Sequence, residues 1–270
     1  MENAKQIWQE QGIPGELNFW RRVLEGIKGN ETTVPPMVIT RMKRRLSYGR
    51  ELQDYPRLLL SETIASADDT VKILDAGAGP FTQIGSIWPG YKTEVTATDA
   101  LAPNYDKLLK EYNVAPPVRT KKCDFESLAS LFGEDYFDLV WSQNALDHSY
   151  DPVSGLENLI SVAKPGCYVS IMLFENEGER ENYKGMHQWN FSRLNDDISI
   201  STKKGDRYML SDIAKNKADI ISIRNVTYFH DEDTGGIETL TEEQVNAIKE
   251  KNKNTYIWMQ FLLKKINHAS

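Results

Sequence analysis

The sequence predicts an α/β fold in which a doubly wound parallel sheet carries an N-terminal helical cap. Two observations predict it. From residue 70 onward, short apolar runs that suit strands alternate with helical patterns, and this alternation is typical of parallel sheets. The first run, residues 71–75, leads directly into a glycine-rich turn at residues 76–80. A strand that ends at such a turn lets a ligand approach the bare backbone at the carboxyl edge of the sheet.

The helical cap is predicted over residues 1–68. Apolar residues at three- and four-residue spacing indicate one helix, and two more are expected at 37–47 and 55–66, beyond a double proline at 35–36. The apolar stripe of the first helix consists of Leu17, Trp20, Val23, Leu24 and Ile27.

The main domain is predicted over residues 69–270. An insert at about 176–210 interrupts its alternation of strands and helices and contains a predicted hairpin, because two strand-like runs at 198–201 and 207–210 flank a Lys-Lys-Gly turn. The expected strands are 71–75, 94–99, 117–124, 137–142, 168–174, 220–229 and 256–263, with helices at 104–112, 125–132 and 153–163.

Composition excludes several classes of protein. The 270 residues carry a net charge of −7, which argues against binding to a nucleic-acid backbone, and the one basic run at 41–45 is interpreted as a solvated helix face. No apolar run is long enough to cross a membrane, and residues 1–6 lack the apolar core of a signal peptide. Cys123 and Cys167 have no metal-site spacing and are expected to be reduced and buried, so a cytoplasmic location is predicted.

The glycine turn itself separates two kinds of nucleotide ligand. A dinucleotide fingerprint requires a third glycine three residues after Gly79, where this chain has Thr82. Asp75 places a carboxylate at the mouth of the turn, which suits a ligand with a cationic end better than a pyrophosphate.

Acidic residues follow successive predicted strands, each with a separate expected role. Asp99 ends the second strand, where a carboxylate can accept hydrogen bonds from both hydroxyls of a ribose. Asp124 follows the third strand and can accept from an adenine amino group, while Phe125 covers the ring face. Residues 142–144 end the fourth strand, at the same sheet edge.

With these residues the chain resembles the class I S-adenosylmethionine-dependent methyltransferases. Their glycine motif is matched by residues 75–81, their second-strand acid by Asp99, their third motif by 124–125 and their fourth by 137–148. The resemblance implies a Rossmann-like sheet of seven strands with one antiparallel strand, here 256–263, and S-adenosyl-L-methionine as methyl donor. It implies that the donor is bound by Asp75, Gly77, Ala78, Gly79, Pro80, Asp99, Ala100, Leu101, Asp124, Phe125, Ser142, Gln143 and Asn144.

A narrower resemblance concerns the acceptor. Residues 7–10, 16–20 and 185–191 look like segments of methyltransferases from bacterial capsule and surface-polysaccharide gene clusters. This implies O-methylation of a small polar molecule, such as a sugar, a nucleotide-linked sugar or a phosphorylated capsule precursor. The expected partner is therefore a small-molecule acceptor, without nucleic acid or membrane, and the oligomeric state stays open.

Histidines are the candidate bases for a hydroxyl acceptor, because their ordinary pKa lies near neutral pH. His148 follows the fourth strand beside Asp147, and His187 lies in the insert, so these three residues are the predicted catalytic group. His230 is interpreted as a surface residue, and His268 belongs to the terminal tail.

No metal is predicted for this site. Asn144, Asp147 and His148 are spaced like the metal site of some ubiquinone-pathway O-methyltransferases, and Mg²⁺ is the alternative that they leave open. An acid would be a stronger ligand than Asn144, however. Glu175 and Glu177 follow the fifth strand and could bind an acceptor or a metal, but they are interpreted as loop acids.

Two other functions are compatible with the motifs. One is N-methylation of a small molecule or protein, although residues 142–145 do not supply the Asn/Asp-Pro-Pro-Tyr motif for amide nitrogen. The other is a non-catalytic scaffold that binds S-adenosylmethionine without transferring its methyl group.

Overall fold

The protein is described by a computed structural model over residues 2–228, 237–251 and 257–267. His230 and His268, and the first residue of the strand predicted at 256–263, lie outside these residues. The helices are α1 (Glu2–Ile7), α2 (Ile13–Ile27), α3 (Pro36–Arg45), α4 (Asp54–Ser61), α5 (Ala102–Glu111), α6 (Leu128–Phe132), α7 (Pro152–Val162), α8 (Glu177–Arg180), α9 (Leu210–Ala214) and α10 (Glu242–Lys251). The strands are β1 (Thr70–Ala76), β2 (Lys92–Asp99), β3 (Lys121–Lys122), β4 (Phe137–Gln143), β5 (Ala163–Phe174), β6 (Trp189–Leu194), β7 (Asp197–Thr202), β8 (Arg207–Met209), β9 (Ala218–Tyr228), β10 (Ile237–Thr239) and β11 (Trp258–Lys265).

The central sheet has the order β10-β9-β11-β5-β4-β1-β2-β3 in the described residues. Strands β1 to β5 of this sheet pair in parallel, and β11 runs antiparallel to both β5 and β9. The doubly wound α/β fold and the antiparallel strand near the C-terminus are therefore confirmed. The sheet contains one strand more than the seven expected, because the short β10 pairs with the outer edge of β9.

The third strand is shorter than the sequence pattern suggested. The expected strand at 117–124 contracts to Lys121–Lys122, the sheet's edge strand. Pro116 and Pro117 have no N–H to donate to a ladder, so pairing with β2 starts only beyond them. Strand β5 is longer than the strand predicted at 168–174. It begins at Ala163, and its register against β4 is irregular near this end.

The insert folds as a small helix, α8, followed by an antiparallel sheet of β6, β7 and β8. The predicted hairpin is present, since Ser199 pairs with Met209 and Ser201 with Arg207. Strand β6 was not expected, because Trp189 and Phe191 stand within a polar stretch. Both side chains are buried in the main core beneath the central sheet.

The N-terminal helices cover the carboxyl edge of the sheet, and residues 8–12 join α1 to α2 as one π-helical turn. The apolar stripe of α2 faces inward: Trp20, Val23 and Leu24 are buried. Trp20 packs edge-on against Phe81, which follows the glycine turn, and against Tyr105 of α5. The division at residue 68 stays a prediction.

Within the described ranges, no helix combines the length and the apolar character that crossing a bilayer requires.

Candidate active site

A cavity of about 870 Å³ opens at the carboxyl edge of the sheet, between the strand ends, the N-terminal helices and the insert. Its walls include every residue predicted to bind the methyl donor except Pro80 and Ser142. Ser142 is fully buried within β4, because side chains alternate along a strand and its neighbour Gln143 takes the cavity side. The predicted binding roles themselves stay predictions.

The glycine turn lines this cavity with bare backbone. Gly77 and Gly79 have positive φ angles of 71° and 64°, a conformation that only glycine adopts without cost. The amides of Gly77 and Ala78 both donate to the carbonyl of Thr98, at 2.8 and 3.0 Å, which ties the turn to the end of β2. A Cβ at Gly77 would lie 2.3 Å from the Cβ of Ala145, so no side chain fits there.

Gly77→Ala is expected to lower the free energy of unfolding by about 2–5 kcal/mol, since it adds a left-handed backbone penalty to a steric clash. Gly90→Ala is the matched control, because Gly90 has a φ of 86° but open space where a Cβ would lie. It should lose only about 1–2 kcal/mol. Urea unfolding measures both, and equal losses would contradict the packing of Gly77 against Ala145.

Asp75 lines the cavity and also makes hydrogen bonds within the protein. Its Oδ2 accepts hydrogen bonds from Thr82 Oγ1 at 2.5 Å and from the Gln83 amide at 3.1 Å. Burial raises the pKa of Asp75, against the effect of these donors. The residue that breaks the dinucleotide pattern, Thr82, therefore holds Asp75 in place, and Asp75 braces the turn in addition to lining the cavity.

Asp99 lies at the end of β2 with its carboxylate held by two amides. Oδ2 accepts from Gly79 at 3.1 Å and Oδ1 from Leu101 at 2.8 Å. Burial, together with the negative charge of Glu16, raises the pKa of Asp99 to about 7 despite these bonds. The carboxylate is therefore fixed in position at the cavity wall.

Asp124 and Phe125 lie beside the glycine turn, as expected from their place after β3. A Cβ at Gly77 would meet the Phe125 ring at 2.9 Å, so the ring packs directly on the turn. The hydroxyl of Tyr150 lies 3.4 Å from Asp124 Oδ2, and both side chains face the cavity.

The loop after β4 brings the other predicted residues to the cavity. Gln143 accepts a hydrogen bond from Gln83, and Asn144 adopts a left-handed conformation with a φ of 53°. The buried Oδ1 of Asn144 has no hydrogen-bond partner among the described residues.

Two histidines and two acids converge at one end of the cavity, where His148, Glu177 and His187 line the wall and Asp147 lies buried behind it. Asp147 and His148 belong to a single 3₁₀ turn after β4, Glu177 begins α8, and His187 lies in the following loop. We call these four residues the histidine–carboxylate cluster. Its possible ligand atoms all lie within 4.8 Å of one another. The structure thus brings together the three predicted catalytic residues and adds Glu177, which the sequence pattern had marked as a loop acid.

The cluster is compact and poor in hydrogen bonds. Asp147 Oδ2 lies 3.4 Å from His148 Nε2 and 3.8 Å from His187 Nδ1. The two imidazole rings meet edge to face, with centroids 4.5 Å apart. Several atoms of the cluster have no hydrogen-bond partner within the described residues. They are His148 Nε2, His187 Nδ1, both oxygens of Asp147 and Glu177 Oε2.

The two carboxyl groups of the cluster have opposite electrostatic surroundings. Burial acts to raise the pKa of Asp147, but the charges that His148 and His187 can carry hold it below the ordinary value. Burial and the nearby Asp147 raise the pKa of Glu177 to about 9. In the protein alone, Asp147 is therefore the ionised carboxylate and Glu177 retains its proton at neutral pH.

Backbone packing positions Glu177 at the cluster. A Cβ at Gly178 would lie 2.4 Å from the carbonyl oxygen of Trp189, so α8 rests directly on β6. The Glu179 amide donates to the side chain of Asn190 at 3.1 Å, which fixes the same contact. No sequence motif indicated this placement, because it depends on the unexpected strand β6.

The cap contributes to the cavity as well. Trp8 Nε1 donates to the carbonyl of His148 at 2.7 Å, and Gly12 packs against Met186. Arg41 and Arg45 of α3 also line the cavity, so the basic run at 41–45 is more than the solvated helix face that its composition suggested. These arginines offer positive charge to an anionic group of a ligand.

Residues 74–171 match the family model Methyltransf_11, described as a methyltransferase domain. Over 108 residues the chain is 33% identical to an uncharacterized methyltransferase of Schizosaccharomyces pombe, which corresponds to 37% of this chain. The chain spans only 38% of the length of that relative.

Two solved structures are similar in overall shape. One is a methyltransferase in complex with the Trm112 methyltransferase activator of Haloferax volcanii, with 17% identity, a TM-score of 0.47, and coverage of 95% of this chain and 98% of the other. The second is the phosphoethanolamine N-methyltransferase 2 of Haemonchus contortus with phosphomonomethylethanolamine and S-adenosylhomocysteine. It shows 17% identity, a TM-score of 0.47, and coverage of 91% and 56%. At these values neither structure carries an argument about activity. The sheet order and the family match support the predicted resemblance to class I S-adenosylmethionine-dependent methyltransferases.

Proposed function

We propose that this protein transfers the methyl group of S-adenosylmethionine to a hydroxyl oxygen of a small polar acceptor, such as a sugar or a nucleotide-linked or phosphorylated sugar. The observation that carries the proposal is a single cavity with two chemically different ends. One end has the glycine turn and the fixed carboxylate of Asp99, and the other has the histidine–carboxylate cluster.

The first end fits the methyl donor. Gly77 and Gly79 line the cavity, and the places where their Cβ atoms would lie are packed by Ala145 and Trp20, so the turn offers bare backbone to a ligand. Asp99 is held by two amides with its remaining lone pairs available to ribose hydroxyls, and Phe125 offers a ring face for adenine. S-adenosylmethionine, when bound, supplies an electrophilic methyl group.

The second end fits an acceptor whose oxygen must lose a proton. Methyl transfer is an in-line displacement, so the acceptor has to be held with its oxygen aligned on the methyl carbon. The imidazoles of His148 and His187 line the cavity and can withdraw the hydroxyl proton during the transfer, while the buried Asp147 lies beside both of them. The Trp8 and Met186 contacts close the cavity over this end.

The sugar-type acceptor rests on the resemblance of residues 7–10, 16–20 and 185–191 to capsule and surface-polysaccharide methyltransferases. The three segments share one hydrophobic cluster in the structure, to which they contribute Trp8, Trp20 and Met186. Arg41 and Arg45 would suit the phosphate of such an acceptor.

The test is incubation with S-adenosylmethionine and two panels of acceptors, one of sugars, sugar phosphates and nucleotide-linked sugars, the other of small amines. Formation of S-adenosylhomocysteine and the position of the methyl group by NMR are measured. Methyl on oxygen in the first panel supports the proposal. Methyl on nitrogen, with the first panel inert, would replace it with N-methylation.

Cofactor affinity is expected to depend on pH through Asp99. The pKa of its carboxyl is raised to about 7, so it is mostly ionised at pH 8 and mostly protonated at pH 6. Since only the ionised form accepts from both ribose hydroxyls, the affinity for S-adenosylhomocysteine should be about tenfold lower at pH 6 than at pH 8.

Calorimetry at several pH values checks this dependence. Asp99→Asn should flatten the profile, because the amide does not titrate. Glu126→Gln is the matched control: Glu126 lines the same cavity and its pKa is also raised to about 7 by burial. If Glu126→Gln flattened the profile and Asp99→Asn did not, the titrating group would be Glu126, and the prediction for Asp99 would be wrong.

A further inference from the structure

We propose that Asp147, His148, Glu177 and His187 form a binding site for one divalent transition-metal ion, at the acceptor end of the cavity. Such a site departs from the expectation, drawn from the sequence, that no metal is bound. The placement of the four side chains supports the site itself, whereas its use in methyl transfer rests on the proposed function.

The donor set has the right chemistry and spacing for such an ion. Two imidazole nitrogens and two carboxylate oxygens are ligands that zinc and similar ions accept. In a tetrahedral site with bonds of about 2.1 Å, two ligand atoms stand about 3.4 Å apart. His148 Nε2 and Asp147 Oδ2 are separated by 3.4 Å, and all four donors lie within 4.8 Å.

Burial without partners is the second observation. The side chain of Asp147 is 2% exposed, yet neither oxygen has a hydrogen-bond partner within the described part of the chain. The facing atoms His148 Nε2, His187 Nδ1 and Glu177 Oε2 are likewise without partners. Buried polar atoms normally have partners, so several unpartnered atoms close together make a place that suits a cationic ligand.

The charges also balance. Two carboxylates and two neutral imidazoles carry a formal charge of −2, which one divalent cation neutralises. Protons compete with a metal ion for this place, because a proton on Glu177 and charged imidazoles beside Asp147 would also partner the acids. The presence of two nitrogen donors favours a transition-metal ion over Mg²⁺, which prefers oxygen ligands.

The four ligands come from separate parts of the chain. Two belong to the turn after β4 and two to the insert, so a bound ion would connect the catalytic edge of the sheet to the acceptor wall. An ion at this place, when bound, would lower the pKa of a hydroxyl that reaches it. In that state the imidazoles would serve as ligands, the acceptor hydroxyl would join the ion as a further ligand, and its proton would pass to solvent water.

The test is a calorimetric titration of chelator-treated protein with Zn²⁺ alone, with Mg²⁺ as the comparison ion and neither methyl donor nor acceptor present. We expect one Zn²⁺ per chain with micromolar or tighter affinity, and at least about tenfold weaker Mg²⁺ binding. Glu177→Gln and His187→Gln should each weaken Zn²⁺ binding at least about tenfold, because loss even of an indirect partner has that effect.

Glu126→Gln is the control, since it removes a buried carboxylate of the same cavity outside the cluster and keeps an acceptor for the Asp151 amide. It should bind Zn²⁺ like the unaltered protein. No Zn²⁺ binding by the unaltered protein, or equal binding by all three variants, would overturn the proposal. S-adenosylhomocysteine binding is measured in the same samples, so loss of the metal site is distinguishable from failure of the proposed methyl transfer.

Discussion

Asp147→Asn is expected to lower the rate of methyl transfer by about 100- to 10,000-fold while leaving the affinity for S-adenosylhomocysteine unchanged. Asp147 is buried and is the group to which both His148 and His187 are directed. The amide keeps the shape of the side chain but carries no charge to orient an imidazole or to hold an ion. The measurement is the rate of S-adenosylhomocysteine formation with an acceptor found in the panels.

Asp138→Asn is the matched control for this variant. Asp138 is also a buried acid, and its oxygens accept from Lys164 at 2.7 Å and from the Lys72 amide at 2.8 Å. Its loss should lower stability without a specific effect on turnover, because these contacts lie outside the cavity. A rate for Asp147→Asn within about twofold of the unaltered protein would remove the cluster from the reaction.

Asp99→Ala is expected to weaken S-adenosylhomocysteine binding at least about hundredfold. Two hydrogen bonds from ribose hydroxyls to a carboxylate contribute about 1.5–3 kcal/mol each, and the combined loss of about 3–6 kcal/mol exceeds a hundredfold change. The variant also removes the acceptor for the amides of Gly79 and Leu101, which loosens the turn. Calorimetry at pH 8 measures the change.

Two further variants separate these contributions. Asp99→Asn retains one oxygen acceptor and should lose less affinity than Asp99→Ala. Asp106→Ala removes an acid whose partner is Arg119 on the protein's exposed surface, so its cofactor affinity should not change. Unimpaired binding by Asp99→Ala would contradict the assignment of the ribose site.

The location of the predicted donor-binding residues could be inferred because it depends on features local in sequence. A strand, a glycine turn and an acid at the next strand end occur in fixed order, and a parallel sheet brings such strand ends to one edge. Gly77, Asp99 and Phe125 accordingly lie together at the cavity. The sequence pattern did not show which side chains of β4 face the cavity. Ser142 is buried within the sheet, and its neighbour Gln143 lines the cavity.

The acceptor half was only partly predictable. His148 and Asp147 follow β4 directly, so their position at the sheet edge could be inferred. Glu177 reaches the cluster because Gly178 packs on β6, and that strand carried no clear signal in the sequence. Contacts between an insert and a distant strand end depend on tertiary packing, which local sequence patterns do not predict.

The strands of the sheet likewise divide into those that local sequence predicts and those that depend on their surroundings. Strands with strong apolar runs, β1, β4 and β11, were found where expected, whereas β3 is shortened by two prolines that remove backbone donors. The short edge strand β10 forms by pairing with β9, an arrangement that its three residues alone could not indicate.

We expect the turn at residues 76–80 to bind S-adenosylmethionine and its demethylated product, S-adenosylhomocysteine, and not a dinucleotide. Calorimetric titration of the unaltered protein with S-adenosylhomocysteine and, in parallel, with NAD tests it most directly. We expect one S-adenosylhomocysteine per chain and no measurable NAD binding. Binding of NAD, or no binding of S-adenosylhomocysteine at pH 8, would contradict it.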